Sequence, residues 1–408
     1  MDSGHTAWML TASALVFFMT PGLAFFYGGL VRAKSLVNTI MLSFITIGVV
    51  SIVWTLWGYS LAYGSGELIN GFIGDFSLLG LNGVEMFSQE GDAISPLYDV
   101  LFQMMFAIIT PALITGAFVE RFKFSTYLVF TVIWITIVYA PVAHWVWGGG
   151  WIGADGAGAL DFAGGTVIHI NAGAAAVAAA LLVGRRKLPG LQPNNVPYIV
   201  LGASILWFGW FGFNGGSALA ADDYAVNAML VTQIAAGTAA TTWGILSMIT
   251  SGKISAVGTA TGAVAGLVAI TPAAGAVNPM GALAIGFGAG LICYYAVELI
   301  HKTKLDDALD VFAVHGVGGL WGCIATGIFA IENIAGVKGL VQGEFDQVFI
   351  QIYTAFGTLV YSFIVTYGIL YVLDKIPFLG LRVSESSEDQ GLDLSEHGEQ
   401  SSIEDGAN

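Results

Sequence analysis

Long apolar runs broken by short polar stretches make up most of the chain. A helix of about 20 apolar residues crosses a hydrocarbon core about 30 Å thick. Windows of that kind fall at 7–30, 37–62, 98–119, 125–143, 162–184, 197–216, 226–250, 256–276, 280–300, 309–331 and 348–373. The pattern predicts eleven transmembrane helices, the eighth being the weakest because it is mostly Gly and Ala. The opening residues, MDSGHTAWML, carry neither a basic n-region nor a small-residue cleavage site. The first run is therefore expected to stay as a helix rather than to be removed as a signal peptide.

The polar stretches are of two kinds. Arg32 and Lys34 follow the first run, Arg121 and Lys123 the third, and Arg185, Arg186 and Lys187 the fifth. Lys253 follows the seventh, Lys302 and Lys304 the ninth, and Lys375 and Arg382 the eleventh. If the N-terminus is outside, all of these are cytoplasmic, and of the 13 Lys and Arg only Lys338 is not. The positive-inside bias thus predicts a multi-pass plasma-membrane protein with its N-terminus outside, its C-terminus cytoplasmic and an odd number of spans. The opposite connections are acidic: Glu67, Asp75, Glu85, Glu90 and Asp92 lie within 63–97, which has no Lys or Arg. Such a mouth enriches cations only mildly, because salt screens the field within about 8 Å. Each acid taken singly is as well explained by solubility.

Composition narrows the class. With 408 residues, 56% of them hydrophobic and 10% charged, the chain reads as an all-α polytopic membrane protein. One transmembrane domain is expected over 1–375, followed by a cytoplasmic tail over 376–408. The 55 glycines suit close helix packing in lipid. A net charge of −15 argues against nucleic acid as a partner. After Arg382 the tail has eight acids and no Lys or Arg, the composition of a flexible, solvated segment; GLDLSEH within it is a candidate for docking on the cytoplasmic loops. Cys293 and Cys323 lie in apolar runs and read as buried thiols, without disulfide or metal-ligand spacing. No nucleophile–base set, metal cluster or phosphate loop appears, so an enzyme is disfavoured and no cofactor is expected.

The chain also echoes itself. FFYGGL at 25–30 recurs as FGFNGGS at 211–217, and DFAGGTVIHINAG at 161–173 as DVFAVHGVGG at 310–319. Five spans per half is odd, so the second half is expected upside down: two five-helix inverted repeats plus one extra helix. Inverted repeats place a substrate site near the midplane, at the repeat interface. Each later echo carries one histidine, His169 eight residues after Asp161 and His315 five after Asp310. At 1.5 Å per residue, the rings lie roughly 12 and 7.5 Å along their helices. An ionisable group that deep is costly and by default marks a polar pathway. The plain alternative is two packing histidines, each satisfied by a backbone carbonyl. Asp161 and Asp310 are both expected to cap helix N-termini.

Two facing neutral imidazoles hydrogen-bond, one nitrogen donating and the other accepting. They offer a donor, an acceptor and a proton-relay route in an apolar tube, but no carboxylate at depth for a bare metal ion. The ring faces of Trp147, Phe106 and Phe213 attract a cation by about 0.5–2 kcal/mol each, and Ser217 adds a hydroxyl acceptor. The set suits a solute that arrives charged and crosses largely uncharged. Any single membrane phenylalanine is equally explained by packing, and Trp147 by an interfacial belt. Its neighbours His144, Trp145 and Trp151 are assigned to that belt.

The strings PGLAFFYGGLVR, WGYSLAYG, VERFKFS, PVAHWVWGGGW, GALDFAGGTVIHINAG, WFGFNGGSALA, LVAITPAAG, DVFAVHGVGGLWG, TGIFA, GLRV and GLDLSEHGE run from about residue 7 to 399. In these the chain resembles the ammonium transporter family (Amt/Mep/Rh), within it the bacterial and archaeal Amt branch. The resemblance implies an eleven-helix pore per subunit, a homotrimer in membrane lipid, and transport of ammonium or ammonia, with methylammonium as an analogue. It implies that Trp147, Ser217 and Phe106 form an outer cation-recruitment site. Phe106 and Phe213 would be a stacked gate with Phe102 and Trp210 nearby, and His169 and His315 the twin histidines. Asp161 would be the carboxylate that shapes the site without touching substrate. The GLDLSEHGE segment implies a PII-type signalling partner at the cytoplasmic face. In the expected mechanism, ammonium gives up a proton at the outer cage and ammonia passes the histidines, with or without the separated proton. Two rival classes are an ammonium sensor that signals through a PII-type partner with little flux, and a bis-histidine haem protein. The latter has no CxxCH or axial-pair repeat to support it.

Overall fold

The computed structural model describes residues 2–65, 71–87, 95–190 and 192–401; Glu67, Glu90 and Asp92 of the acidic connection lie outside them. The described chain is helical, with no β-strand. Eleven helices are long and apolar enough to cross a membrane: α1 Ser3–Leu30, α2 Ala33–Tyr63, α3 Leu97–Thr115, α4 Phe124–Trp147, α5 Gly165–Val183, α6 Val196–Gly216, α7 Asp223–Ser251, α8 Ala256–Ala273, α9 Pro279–His301, α10 Phe312–Phe329 and α11 Asp346–Lys375. Side-chain oxygens start several of them. Asp2 accepts from the Gly4 and His5 N–H groups, Asp222 from Ala225, Ser255 from Gly258 and Asn278 from Gly281, which satisfies donors that a first turn leaves free.

Repeat mates pack against each other through small residues, as lipid-embedded helices do when no hydrophobic drive separates them from the tails. Along the α1–α6 seam, a Cβ on Gly202 would lie 2.3 Å from the Phe26 nitrogen. Between α5 and α10, a Cβ on Gly173 would lie 2.4 Å from the Gly316 Cα. Only glycine lets these backbones meet. The first turns of α5 (Gly165–Ile170) and α10 (Phe312–Val317) are both wound as π-helix, a distortion that concentrates at functional sites. Each holds one of the two histidines.

Two expectations are corrected, and one span is bounded more closely. The third run, placed at 98–119 to within several residues, forms α3 up to Thr115. The carbonyls of Gly116 and Ala117 turn aside to accept from Leu309 and Ala308 at 3.0 and 3.3 Å. Asp310 does not cap α10. It adopts a left-handed φ of 60°, which breaks the chain just before the helix, and its carboxylate meets His301 Nε2 at 2.7 Å. The cap is Asp307, whose Oδ2 accepts from the Phe312 N–H at 2.7 Å. Asp307 stands eight residues before His315, the same offset as Asp161 before His169. Lastly, among the described residues the segment after α11 is docked rather than flexible and solvated, with GLDLSEH, the stretch expected to be able to dock, set against α2 and α4. Leu379, Leu381, Val383 and Leu392 are buried, and Lys123 and Val383 donate to the carbonyls of Leu381 and Arg121 at 2.9 and 3.0 Å.

Candidate functional site

Two vestibules face each other across the bundle. One opens on the face with the acidic connections, the other on the face with nearly all the Lys and Arg. The acidic-face cavity, about 320 Å³, is lined by Trp147, Phe106, Phe102 and Ser217 among others. The Trp147 indole is held in place by its Nε1, which donates to the Asp161 carbonyl at 3.0 Å. Its ring meets Phe106 at 6.1 Å, edge-on. The Ser217 hydroxyl gives its hydrogen to the Phe213 carbonyl at 2.8 Å, so its oxygen lone pairs remain for a donor. Ring faces and a hydroxyl acceptor thus converge on one void, a setting that favours a cation.

Beneath the cavity Phe106 and Phe213 pack against each other. Their centroids are 4.4 Å apart at 56°, and both side chains are buried. Phe102 braces Phe106 edge-on at 4.7 Å. Below Phe213 a slot of about 10 Å³, near the least volume that holds one water, is walled by Leu23, Ile109, Leu113, Trp210 and the two histidines. His169 stacks on Trp210 at 5.4 Å and 19°. Its Nδ1 faces the Nδ1 of His315 at 3.2 Å, so one nitrogen must donate and the other accept. The His169 Nε2 has no protein partner. Of the side chains around this slot, Trp210 and the two histidines carry nitrogens, and Trp210 Nε1 is spent on Thr271 Oγ1 at 2.9 Å.

Asp161 explains how a π-wound turn starts in an apolar interior. Its Oδ1 accepts from Gly164 and Gly165 at 2.9 and 2.6 Å, and its Oδ2 from Thr166 and Val167 at 2.8 and 3.2 Å. Burial pushes this carboxyl above the usual range, against the pull of those four N–H groups.

On the far side His315, Phe26 and Val264 border both the slot and a basic-face vestibule of about 540 Å³. Its rim is pinned by ion pairs: Arg32 and Arg186 grip the two oxygens of Glu120 at 2.8 and 3.0 Å, and Arg186 also holds Asp306 at 2.8 Å. Although burial favours its acid form, Arg186 and Arg121 hold the Asp306 carboxyl below the usual range. Asp307 goes the other way, pushed up to about 7 by burial and by the charge of Asp310.

A sequence profile of the Ammonium Transporter Family matches residues 7–402. The chain belongs to the Ammonium Transporter Family. It is 53% identical to an ammonium transporter of Aquifex aeolicus, over 98% of this chain and 93% of that one. It is 45% identical to ammonium transporter Amt1 of Archaeoglobus fulgidus, over 98% and 99%. Among solved structures it resembles Mep2 of Saccharomyces cerevisiae, with a TM-score of 0.88 and 35% identity over 95% of this chain and 88% of that one. A structure described as a Sensor Amt Protein gives a TM-score of 0.88 at 31% identity, over 97% and 98%.

Of the nine sequence-singled residues, Phe102, Phe106, Trp147 and Ser217 line the acidic-face cavity, His169, Trp210, Phe213 and His315 line the slot, and the Asp161 carbonyl accepts from Trp147. Of the residues assigned to an interfacial belt, Trp151 is 39% exposed, but Trp145 and His144 are 2% and 4% exposed. Both are buried because their ring nitrogens are spent inside: Trp145 Nε1 on the Phe72 carbonyl at 2.7 Å and His144 Nδ1 on the Ala62 carbonyl at 2.9 Å. Sequence reading missed Asp307 and His301. The repeated eight-residue offset was the available signal for Asp307.

Proposed function

We propose that the protein carries ammonium across the membrane in three steps. The cation is recruited in the acidic-face cavity by Trp147, Phe106 and Ser217. It gives up a proton to water in that open cavity, and ammonia then slips past the Phe106–Phe213 gate and the His169–His315 pair to the basic-face vestibule, with or without the separated proton crossing in its turn. The reading rests above all on one observation: two imidazoles 3.2 Å apart border an apolar slot between two open vestibules, and the His169 Nε2 has no protein partner. Ammonia both donates and accepts hydrogen bonds, so it matches a lining with one of each; a hydrated cation does not fit a slot of about 10 Å³. By the positive-inside rule the basic face is cytoplasmic and the N-terminus is outside. The homotrimer and a PII-type partner for the docked tail are carried by the family resemblance; mass measurement in detergent and pull-down with a PII protein test them.

The deciding experiment is current and uptake in proteoliposomes energised with ammonium or methylammonium. Saturable flux is expected, and its absence from oriented, folded protein overturns the reading. A second reading, a sensor with little flux, is favoured by the likeness to the Sensor Amt Protein. Tight ammonium binding with negligible flux would select it.

A further inference from the structure

The Trp210 wall of the slot is held by a side chain that does not itself line the slot. The indole lies flat on His169 at 5.4 Å and 19°, and it also meets the gate ring Phe213 at 5.2 Å. Its Nε1, on a buried side chain, donates to the buried Thr271 Oγ1. The Thr271 hydroxyl gives its own hydrogen to the Leu267 carbonyl at 2.8 Å, so its oxygen meets the indole as an acceptor. Thr271 opens the last turn of α8, Thr271–Ala273, which is wound as 3₁₀-helix. The next residue, Pro272, accepts at its carbonyl from the Phe162 N–H at 3.2 Å. A Cβ on Gly165, the first residue of α5, would lie 2.6 Å from the Pro272 ring. One short turn thus holds both members of the stack: the indole through Thr271, and the start of the helix that carries His169 through Pro272. An indole nitrogen can only donate, and a buried donor without an acceptor is costly. Without the hydroxyl the indole gains by rotating toward water or another acceptor, and rotation breaks its stack on His169.

We propose that Thr271 is a positioning residue for the passage of ammonia. Its hydroxyl fixes the Trp210 indole, which sets the plane of the His169 ring and so the aim of its Nδ1 at His315. The inference rests on the transport reading. The plainer role for a threonine that bonds back to the carbonyl four residues earlier is to finish its own helix. Thr271→Val keeps the shape and removes the oxygen, whereas Thr271→Ser keeps the oxygen.

The test measures ammonium current and uptake in proteoliposomes for wild type, T271V, T271S, Trp210→Phe and the double variant T271V/W210F. Maximal flux is expected to fall at least about tenfold in T271V, with half-saturation, set in the acidic-face cavity, unmoved. T271S is expected to recover most of that flux. In the W210F background, where the N–H served by the hydroxyl is gone, T271V is expected to cost nothing further. An unchanged maximal flux in T271V overturns the proposal, and so does a serine variant that conducts no better than the valine one. An equal loss in both backgrounds also overturns it, being the signature of a helix-end role. If W210F alone passes no flux, the comparison of valine with serine decides. A structure of T271V reads the tie without flux: the indole is expected off the His169 ring, and an indole left in place overturns the proposal. A wild type that carries no ammonium refutes transport, and a displaced indole in T271V then leaves the tie standing.

Discussion

Asp161 and Asp307 each accept from the start of a π-wound turn that contains one of the two histidines. Asp161 satisfies four buried N–H groups at once. Replacing it with Ala strands all four, so Asp161→Ala is expected to cost at least about 2 kcal/mol. The check is a lower melting temperature in detergent, with Asp161→Asn falling in between. Asp307 carries a pH signature. Folded, it titrates near 7, against an ordinary aspartate at 3.8. Between those values the folded chain keeps a proton that the unfolded chain has released, so stability falls as pH rises through that window. Melting temperature is therefore expected to drop from pH 5 to pH 8, and Asp307→Asn, which keeps an acceptor for the Phe312 N–H, should remove the part of that drop due to this group. A slope unchanged in the variant would assign it elsewhere. The histidines were legible from sequence because charge-capable side chains stand out in Gly- and Ala-rich runs. The true mate of Asp161 was not, because Asp307 and Asp310 both precede His315 and only the backbone shows which one turns left-handed.

At the scale of elements, apolar run length gave all eleven helices, since the bilayer sets one length for each. Ends were less legible. Where α3 stops depends on which backbone carbonyls the α9–α10 connection claims, a long-range contact without a local trace. The pairing of α5 with α10 likewise depends on two glycines whose role is visible only once the helices touch. Gly173 lies one turn beyond His169, and Gly316 directly follows His315. A methyl group on Gly173 meets the Gly316 backbone at 2.4 Å and must push the helices apart. Because the imidazoles ride on these same turns, their 3.2 Å contact is expected to open in Gly173→Ala. Misplacement by about 1 Å costs up to about a hundredfold in rate where geometry is tight. Ammonium flux in this variant is thus expected to fall at least about tenfold while half-saturation, set in the remote acidic-face cavity, stays near wild type. A parallel rise in half-saturation would show that the distortion spreads to that cavity.

Over the whole molecule, the docked C-terminal segment acts as a clamp across the basic face. Arg382 and the Lys187 N–H hold the two oxygens of Glu388, each at 2.6 Å. Asp393 Oδ1 accepts from the Asn38 N–H at 2.8 Å where the regular part of α2 begins, and Glu396 Oε2 accepts from the Phe124 N–H at 3.0 Å at the start of α4. His397 lies edge-on to Phe124 at 4.7 Å. Acidic composition alone suggested solvation because it says nothing about whether the acids have N-termini to cap. Here two helix starts, far apart in sequence, share one short segment as their common cap. Each cap is worth about 1 kcal/mol, and two caps on independent segments would lose stability additively. Caps on one docked segment behave otherwise: losing either frees the segment, and the second then has little left to lose. The double variant Asp393→Ala/Glu396→Ala is therefore expected to lower the melting temperature by little more than the worse single variant. A fully additive loss would mean that Leu392 and the Arg382–Glu388 pair hold the segment in place without help from the caps.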